Sequence, residues 1–186
     1  MRRTSVIRQR VSQGDYDMAD KLMVVAHPDD EMVFGGAHLL RERKWKVICV
    51  TNRSNRIRSN EFVKVMQRVG AEYEIWDYED AYEGSFNWKG LQQDLLRVIG
   101  FNRYKKVVTH SLRGEYGHPQ HKAIAKLMRE MIPCNLHVFA LGKQKIPQKM
   151  LLQKRQVLNL YVSQRQTLDE LQLDKYINRE YFVRVK

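Results

Sequence analysis

The chain has 186 residues, 43% hydrophobic and 29% charged, with 33 lysines and arginines against 21 acids, a net charge of +12. A chain this long buries roughly 70% of its unfolded surface without help from disulfides, its composition excludes a fibrous or largely disordered protein, and no apolar run nears the ~20 residues of a membrane span. The excess positive charge lies at the two ends, +5 over residues 1–58 and +6 over 141–186 against +1 between, and it would concentrate anions without choosing among nucleic acid, lipid and phosphorylated small molecules.

Residues 1–20 show no hydrophobic period and read as a basic arm preceding a single domain, 21–186. The amino terminus lacks the apolar stretch of a secretory signal, which points to the cytoplasm. Cys49 and Cys134 sit in apolar segments without metal-type spacing and read as buried thiols. Lys21–Ala26 is a short apolar run expected to be a buried strand. After Gly35-Gly36 a helix is expected over Ala37–Arg43, then a β-branched strand over Lys46–Thr51. A polar loop follows over 52–60. Phe62, Val65, Met66 and Val69 share one face of a helix that Gly70 stops, and Glu72–Trp76 reads as a third strand. Residues 77–89 form an acidic, aromatic loop in which Tyr78, Tyr82, Phe86 and Trp88 could stack on a sugar or simply anchor the loop. Leu91–Ile99 is an amphipathic helix ended by Gly100, and Lys105–Thr109 a fourth strand. Pro119–Met131 is a helix with proline in its first turn, where a missing N–H costs nothing. Leu136–Leu141 is a fifth strand, 147–174 one or two helices, and Tyr181–Val185 a terminal strand.

Strands alternating with helices imply an α/β fold: a Rossmann-like, mostly parallel sheet with helices on both faces. Ligands of such sheets bind beyond the carboxyl ends of the strands. Two loops at that end carry three of the six histidines. Ala26-His27-Pro28-Asp29-Asp30-Glu31 follows the first strand, and Tyr116-Gly117-His118-Pro119-Gln120-His121 follows the fourth. His27 and Asp30 are three apart in a proline-stiffened loop and can turn to one point. Pro119 keeps His118 out of helical conformation, and His121 falls in the first helical turn. Two imidazoles and one carboxylate form a set typical of catalytic zinc with a position left for water. Asp29, beside them, is free to take a proton. An HxxH pair or an acidic helix start has an ordinary structural reading when alone; the two together, where the topology demands them, point to a metal site.

These residues resemble the LmbE/PIG-L family of zinc-dependent N-deacetylases, Rossmann-like enzymes that remove acetyl groups from N-acetylglucosamine-containing substrates. AHPDDE is the specific element, with HPxH after a later strand. Arg58-Ser59-Asn60-Glu61 running to Val69-Gly70, Asp80, and Lys154 with Tyr161-Val162-Ser163-Gln164 are similar to further family stretches, so the likeness spans about residues 21–165. It implies that His27, Asp30 and His121 bind Zn2+ or another divalent metal, that Asp29 is the general base, and that His118 and Tyr116 stabilise the oxyanion. It also implies that Arg58, in competition with Arg56, and Asp80 hold sugar hydroxyls or a phosphate. Gln120 departs from the common HPDH pattern at a position that is not a ligand, and little loss is expected. The implied activity is hydrolysis of a linear amide bond in an N-acetylated amino sugar, free, anionic or nucleotide-linked. The competing reading is a nucleic-acid or polyanion binder on a degenerate version of the fold. No RNA-binding aromatic motif or zinc-finger spacing supports it.

Overall fold

The computed structural model describes residues 7–8, 18–82, 86–101 and 104–186. In chain order the strands are β1 (Ile7–Arg8), β2 (Lys21–Val25), β3 (Trp45–Thr51), β4 (Glu72–Tyr78), β5 (Lys106–Thr109), β6 (Leu136–Leu141) and β7 (Glu180–Arg184). The α-helices are α1 (Asp30–Arg41), α2 (Arg56–Val69), α3 (Trp88–Phe101), α4 (Pro119–Met131), α5 (Gln148–Leu158), α6 (Arg165–Glu170) and α7 (Asp174–Asn178), with a 3₁₀ turn over Val162–Gln164. Among these residues no helix is long and apolar enough to cross a membrane.

The seven strands form one sheet in the order β1-β4-β3-β2-β5-β6-β7. The five inner strands run parallel, and β1 and β7 close the edges antiparallel. Strand β2 is buried from Leu22 to Val25 because its alternate side chains enter two cores. Met23 and Val25 pack with Phe34 of α1, Phe62 of α2 and Val157 of α5. Leu22 and Val24 pack with Leu91 and Leu95 of α3 and Ile124 and Met128 of α4. Burial on both sides explains why parallel strands read as continuous apolar runs rather than alternating ones. The chain leaves β2 toward β3 on one side and returns to pair β5 on the other, so the order reverses at β2–β5. The loops after these two strands open into that crevice.

The structure moves several expected boundaries. Helix α1 begins at Asp30, seven residues before Ala37. Gly35 and Gly36 therefore lie inside it, against the ends of buried methionine side chains. A Cβ on Gly35 would stand 2.7 Å from Met23 Cε, and one on Gly36 2.8 Å from Met32 Cε. Helix α2 begins at Arg56 inside the expected polar loop, because Asn55 caps it by accepting the Arg58 N–H. Gly70 does stop α2, in the left-handed conformation at φ 68°. Helix α3 starts at Trp88 and runs through Gly100. The 147–174 region is broken into α5, the 3₁₀ turn and α6, and α7 runs on beyond it. Cys49 is buried as expected, but Cys134 is exposed; both are free thiols. The basic arm over 1–20 lies outside the described residues except for 7–8 and 18–20.

Candidate metal centre

His27 follows β2 directly, Asp30 opens α1, and His121 sits in the first turn of α4. Three ligand-type atoms from these residues meet. His27 Nδ1 lies 3.3 Å from Asp30 Oδ2, Asp30 Oδ2 3.3 Å from His121 Nε2, and His121 Nε2 3.3 Å from His27 Nδ1. In a tetrahedral zinc site, bonds of about 2.0–2.1 Å set neighbouring ligand atoms about 3.3–3.4 Å apart. The triangle thus has the size of one face of such a site, and the residues fit the metal.

The hydrogen bonds behind the two imidazoles say which nitrogen each presents. His27 Nε2–H donates to Gln120 Oε1 at 2.7 Å. The orientation of that amide is fixed, because Gln120 Nε2 donates to the Glu79 carbonyl at 2.7 Å. His27 Nδ1 is left with its lone pair toward Asp30. His121 Nδ1–H donates to Glu115 Oε2 at 2.7 Å, leaving Nε2 toward the same point. A third imidazole, His110, stacks on His121 with centroids 3.8 Å apart and stands near Asp30. It is not available as a ligand: its Nε2 accepts the Ala26 N–H at 3.0 Å, and its Nδ1–H donates to Glu115 Oε2 at 2.9 Å.

The electrostatics suit a cation. Against its burial, the imidazoles of His121 and His110 hold the Asp30 carboxyl well below its usual range. Against the burial of His27, the carboxylates of Asp30 and Asp80 push it up to about 10. Asp29 behaves oppositely. Burial and the neighbouring Asp30 carboxylate raise it well above its usual range. It occupies the N-cap of α1 yet makes no side-chain capping bond, and its backbone sits at φ 121°. For a residue other than glycine such a conformation costs of order 1–3 kcal/mol and persists only where the surroundings impose it. Glu31, fully buried, helps impose it: Oε2 accepts the Asp29 N–H at 3.2 Å, while Oε1 accepts the Tyr161 hydroxyl at 2.5 Å.

His118 holds its expected place beside the centre, its ring 4.8 Å from His27 and 4.6 Å from His121. Burial and those two imidazoles push it down to about 4. Its Nδ1 accepts the Gln120 N–H, so the neutral ring carries its proton on Nε2 and can donate. The Tyr116 ring lies 5.4 Å from His121. Arg58 and Asp80 are brought together rather than left open. Arg58 Nη1 donates to Asp80 Oδ2 at 2.9 Å and Nη2 to the Pro28 carbonyl, while Asp80 Oδ1 lies 3.2 Å from His27 Nε2. Arg56 is exposed. Of the loop aromatics, Phe86 is in the core and Tyr78 is bonded to Asp94, whereas exposed Tyr82 leans to within 5.6 Å of His118.

Three supporting groups were not singled out from the sequence: Glu115, His110 and Gln120, the last noticed only as a departure. The late stretch turns out to work from behind. Buried Lys154 donates to Val33 O, Ile177 O and Glu180, and Ser163 bonds Glu61. Together these contacts brace α1 and α2.

An uncharacterized protein of Acanthamoeba polyphaga mimivirus is 41% identical over 180 residues, covering 88% of this chain and 76% of that protein. Among solved structures, the N,N'-diacetylchitobiose deacetylase of Pyrococcus horikoshii aligns with a TM-score of 0.69 at 14% identity, over 92% of this chain and 86% of that one. The 4-carboxy-2-hydroxymuconate hydratase of Pseudomonas putida aligns with a TM-score of 0.59 at 16% identity, over 91% and 97%. These structural likenesses establish the fold. Residues 22–132, which contain both site loops, match the PIG-L family, described as GlcNAc-PI de-N-acetylase, and the chain belongs to that family.

Proposed function

We propose that the protein is a metal-dependent amidohydrolase that removes the acetyl group from an N-acetylated amino sugar of the N-acetylglucosamine type, free or conjugated. The observation that carries this reading is the 3.3 Å triangle of His27, Asp30 and His121 atoms beside the buried carboxylate of Asp29, which caps nothing. The fold alone does not select the reaction, since a hydratase shares it; the family match across both loops supports the deacetylase. The intact site also argues against a degenerate fold kept only for binding polyanions.

His27, Asp30 and His121 would hold a divalent ion, with zinc the best match to two imidazoles and a carboxylate, and when bound it would supply Lewis acidity to water and to a carbonyl. Asp29 takes the proton of the attacking water, its buried place beside the Asp30 carboxylate favouring the protonated form. His118 offers Nε2–H to the oxyanion of the tetrahedral intermediate, with the Tyr116 hydroxyl as a second donor. Asp29, having taken that proton, can return it to the leaving amine. Arg58 and Asp80, paired at the mouth, and Tyr82 above His118 would meet the sugar or its carrier.

Acetate release from a panel of neutral and anionic N-acetyl sugars, with Asp29→Ala as control, tests the proposal. Release that depends on Asp29 supports it. A metal-loaded protein that releases no acetate from any member of a broad panel contradicts it.

A further inference from the structure

In the proposed centre His27 presents Nδ1 to the ion, whereas His121 presents Nε2. We propose that Glu115 and Gln120 are positioning residues that fix this choice, each locking one ligand imidazole in the tautomer and rotamer the ion needs. The inference rests on the proposed metal centre.

The accounting of hydrogen bonds leaves little freedom. Glu115 Oε2 receives two imidazole protons, from His121 Nδ1 at 2.7 Å and His110 Nδ1 at 2.9 Å. Its Oε1 accepts the Ser111 N–H at 2.6 Å. All three partners are donors, so the side chain must be a carboxylate, the one side chain that offers acceptors on both atoms. His110 cannot turn to compete for the ion, because the Ala26 N–H occupies its other nitrogen; instead it stacks flat on His121. The backbone bears strain to deliver this carboxylate, with Glu115 at φ 52° between Gly114 and the Tyr116-Gly117 turn. The Tyr176 hydroxyl pins the Glu115 carbonyl.

Gln120 requires the opposite chemistry. It faces a donor, His27 Nε2, on one side and an acceptor, the Glu79 carbonyl, on the other. A neutral amide meets both, whereas a carboxylate would set an oxygen against the Glu79 carbonyl. This is the physical sense of glutamine at this position. Asp80 Oδ1, 3.2 Å from the same His27 nitrogen, is a reserve acceptor for His27. Among the described residues no such reserve stands beside His121 Nδ1.

Two variants in the full chain test the lock, Glu115→Gln and Gln120→Met. Zinc affinity is measured by chelator competition, imidazole N–H protons by proton NMR on the metal-free protein, and folding by thermal melts in chelator. Groups that orient metal-bound histidines typically contribute 10–100-fold to metal affinity. Glu115→Gln is expected to weaken zinc toward the upper end of that range and to remove two protected imidazole N–H signals. Gln120→Met is expected to weaken it toward the lower end, because Asp80 remains. Folded variants that bind zinc within twofold of the wild type would overturn the inference while leaving the metal centre standing. A wild-type protein that binds no divalent ion would overturn both. Should Glu115→Gln fail to fold, His110→Gln serves instead: it leaves Glu115 to His121 alone and is expected to change affinity less than threefold, and a loss near 100-fold would overturn the lock.

Discussion

Asp29 carries the clearest conflict between stability and chemistry. Its φ of 121° and its closeness to the Asp30 carboxylate are both unfavourable, and the side chain returns no capping bond. Asp29→Gly should therefore stabilise the protein by on the order of 1 kcal/mol, since glycine adopts this backbone freely, while abolishing acetate release; thermal melts beside activity assays check the pair of effects. A second expectation concerns His118. Replacing it with alanine should lower kcat by roughly 10²–10³, the usual effect of losing one oxyanion donor, and leave the bound metal at one ion per chain. The convergence of His27, Asp30 and His121, with Asp29 beside them, was legible in the sequence because each loop is short and follows a strand whose end is fixed by topology. Gln120 and Glu115 were not. What they do depends on partners such as Glu79 and His27 whose approach is set by tertiary packing, and on donor and acceptor counts that appear only when the groups are together.

At the level of elements, α1 lies against β2 and the aromatic pair of Phe139 and Phe182 through a glycine. Gly35→Ala would put a Cβ 2.7 Å from Met23 Cε and 3.2 Å from Phe182 Cζ. Overpacking of this kind costs about 1–3 kcal/mol, and a lowered denaturation midpoint with an unchanged m-value is the expected result. The sequence showed this glycine pair as a break before a helix. Close packing, invisible to local propensity, is what puts it inside. The β3–β4–α3 junction makes a pH-dependent contribution. Against the burial that would raise it, Lys46, Trp76 and Arg97 hold buried Glu74 down at about 2. A carboxyl held below its unfolded value adds stability that is fully present above about pH 4.5 and lost as pH falls toward 2. Glu74→Gln should cost about 1.5–3 kcal/mol at neutral pH and flatten that acid limb in urea titrations run from pH 6 to 2.

Over the whole molecule, the reversal of strand order between β2 and β5 creates the crevice, and the two histidine loops are simply what the chain places there. Alternation of apolar strands and amphipathic helices made this architecture readable. The edge pairing of β1 was not readable, because a two-residue strand has no period. The start at Arg56 has no hydrophobic signal because the Asn55 cap decides it, and the start at Asp30 has none because it follows the backbone turn at Asp29, which makes no capping bond. The charge of +12 belongs to this scale too. If it guides substrate, kcat/KM on an anionic N-acetyl sugar conjugate should fall steeply with ionic strength while a neutral sugar is little affected. The most direct measurement for the central claim is anomalous diffraction at the zinc edge from crystals grown with zinc. A single strong peak is expected within bonding distance of His27 Nδ1, Asp30 Oδ2 and His121 Nε2. A peak bound elsewhere, with these three atoms left without an ion, would contradict it.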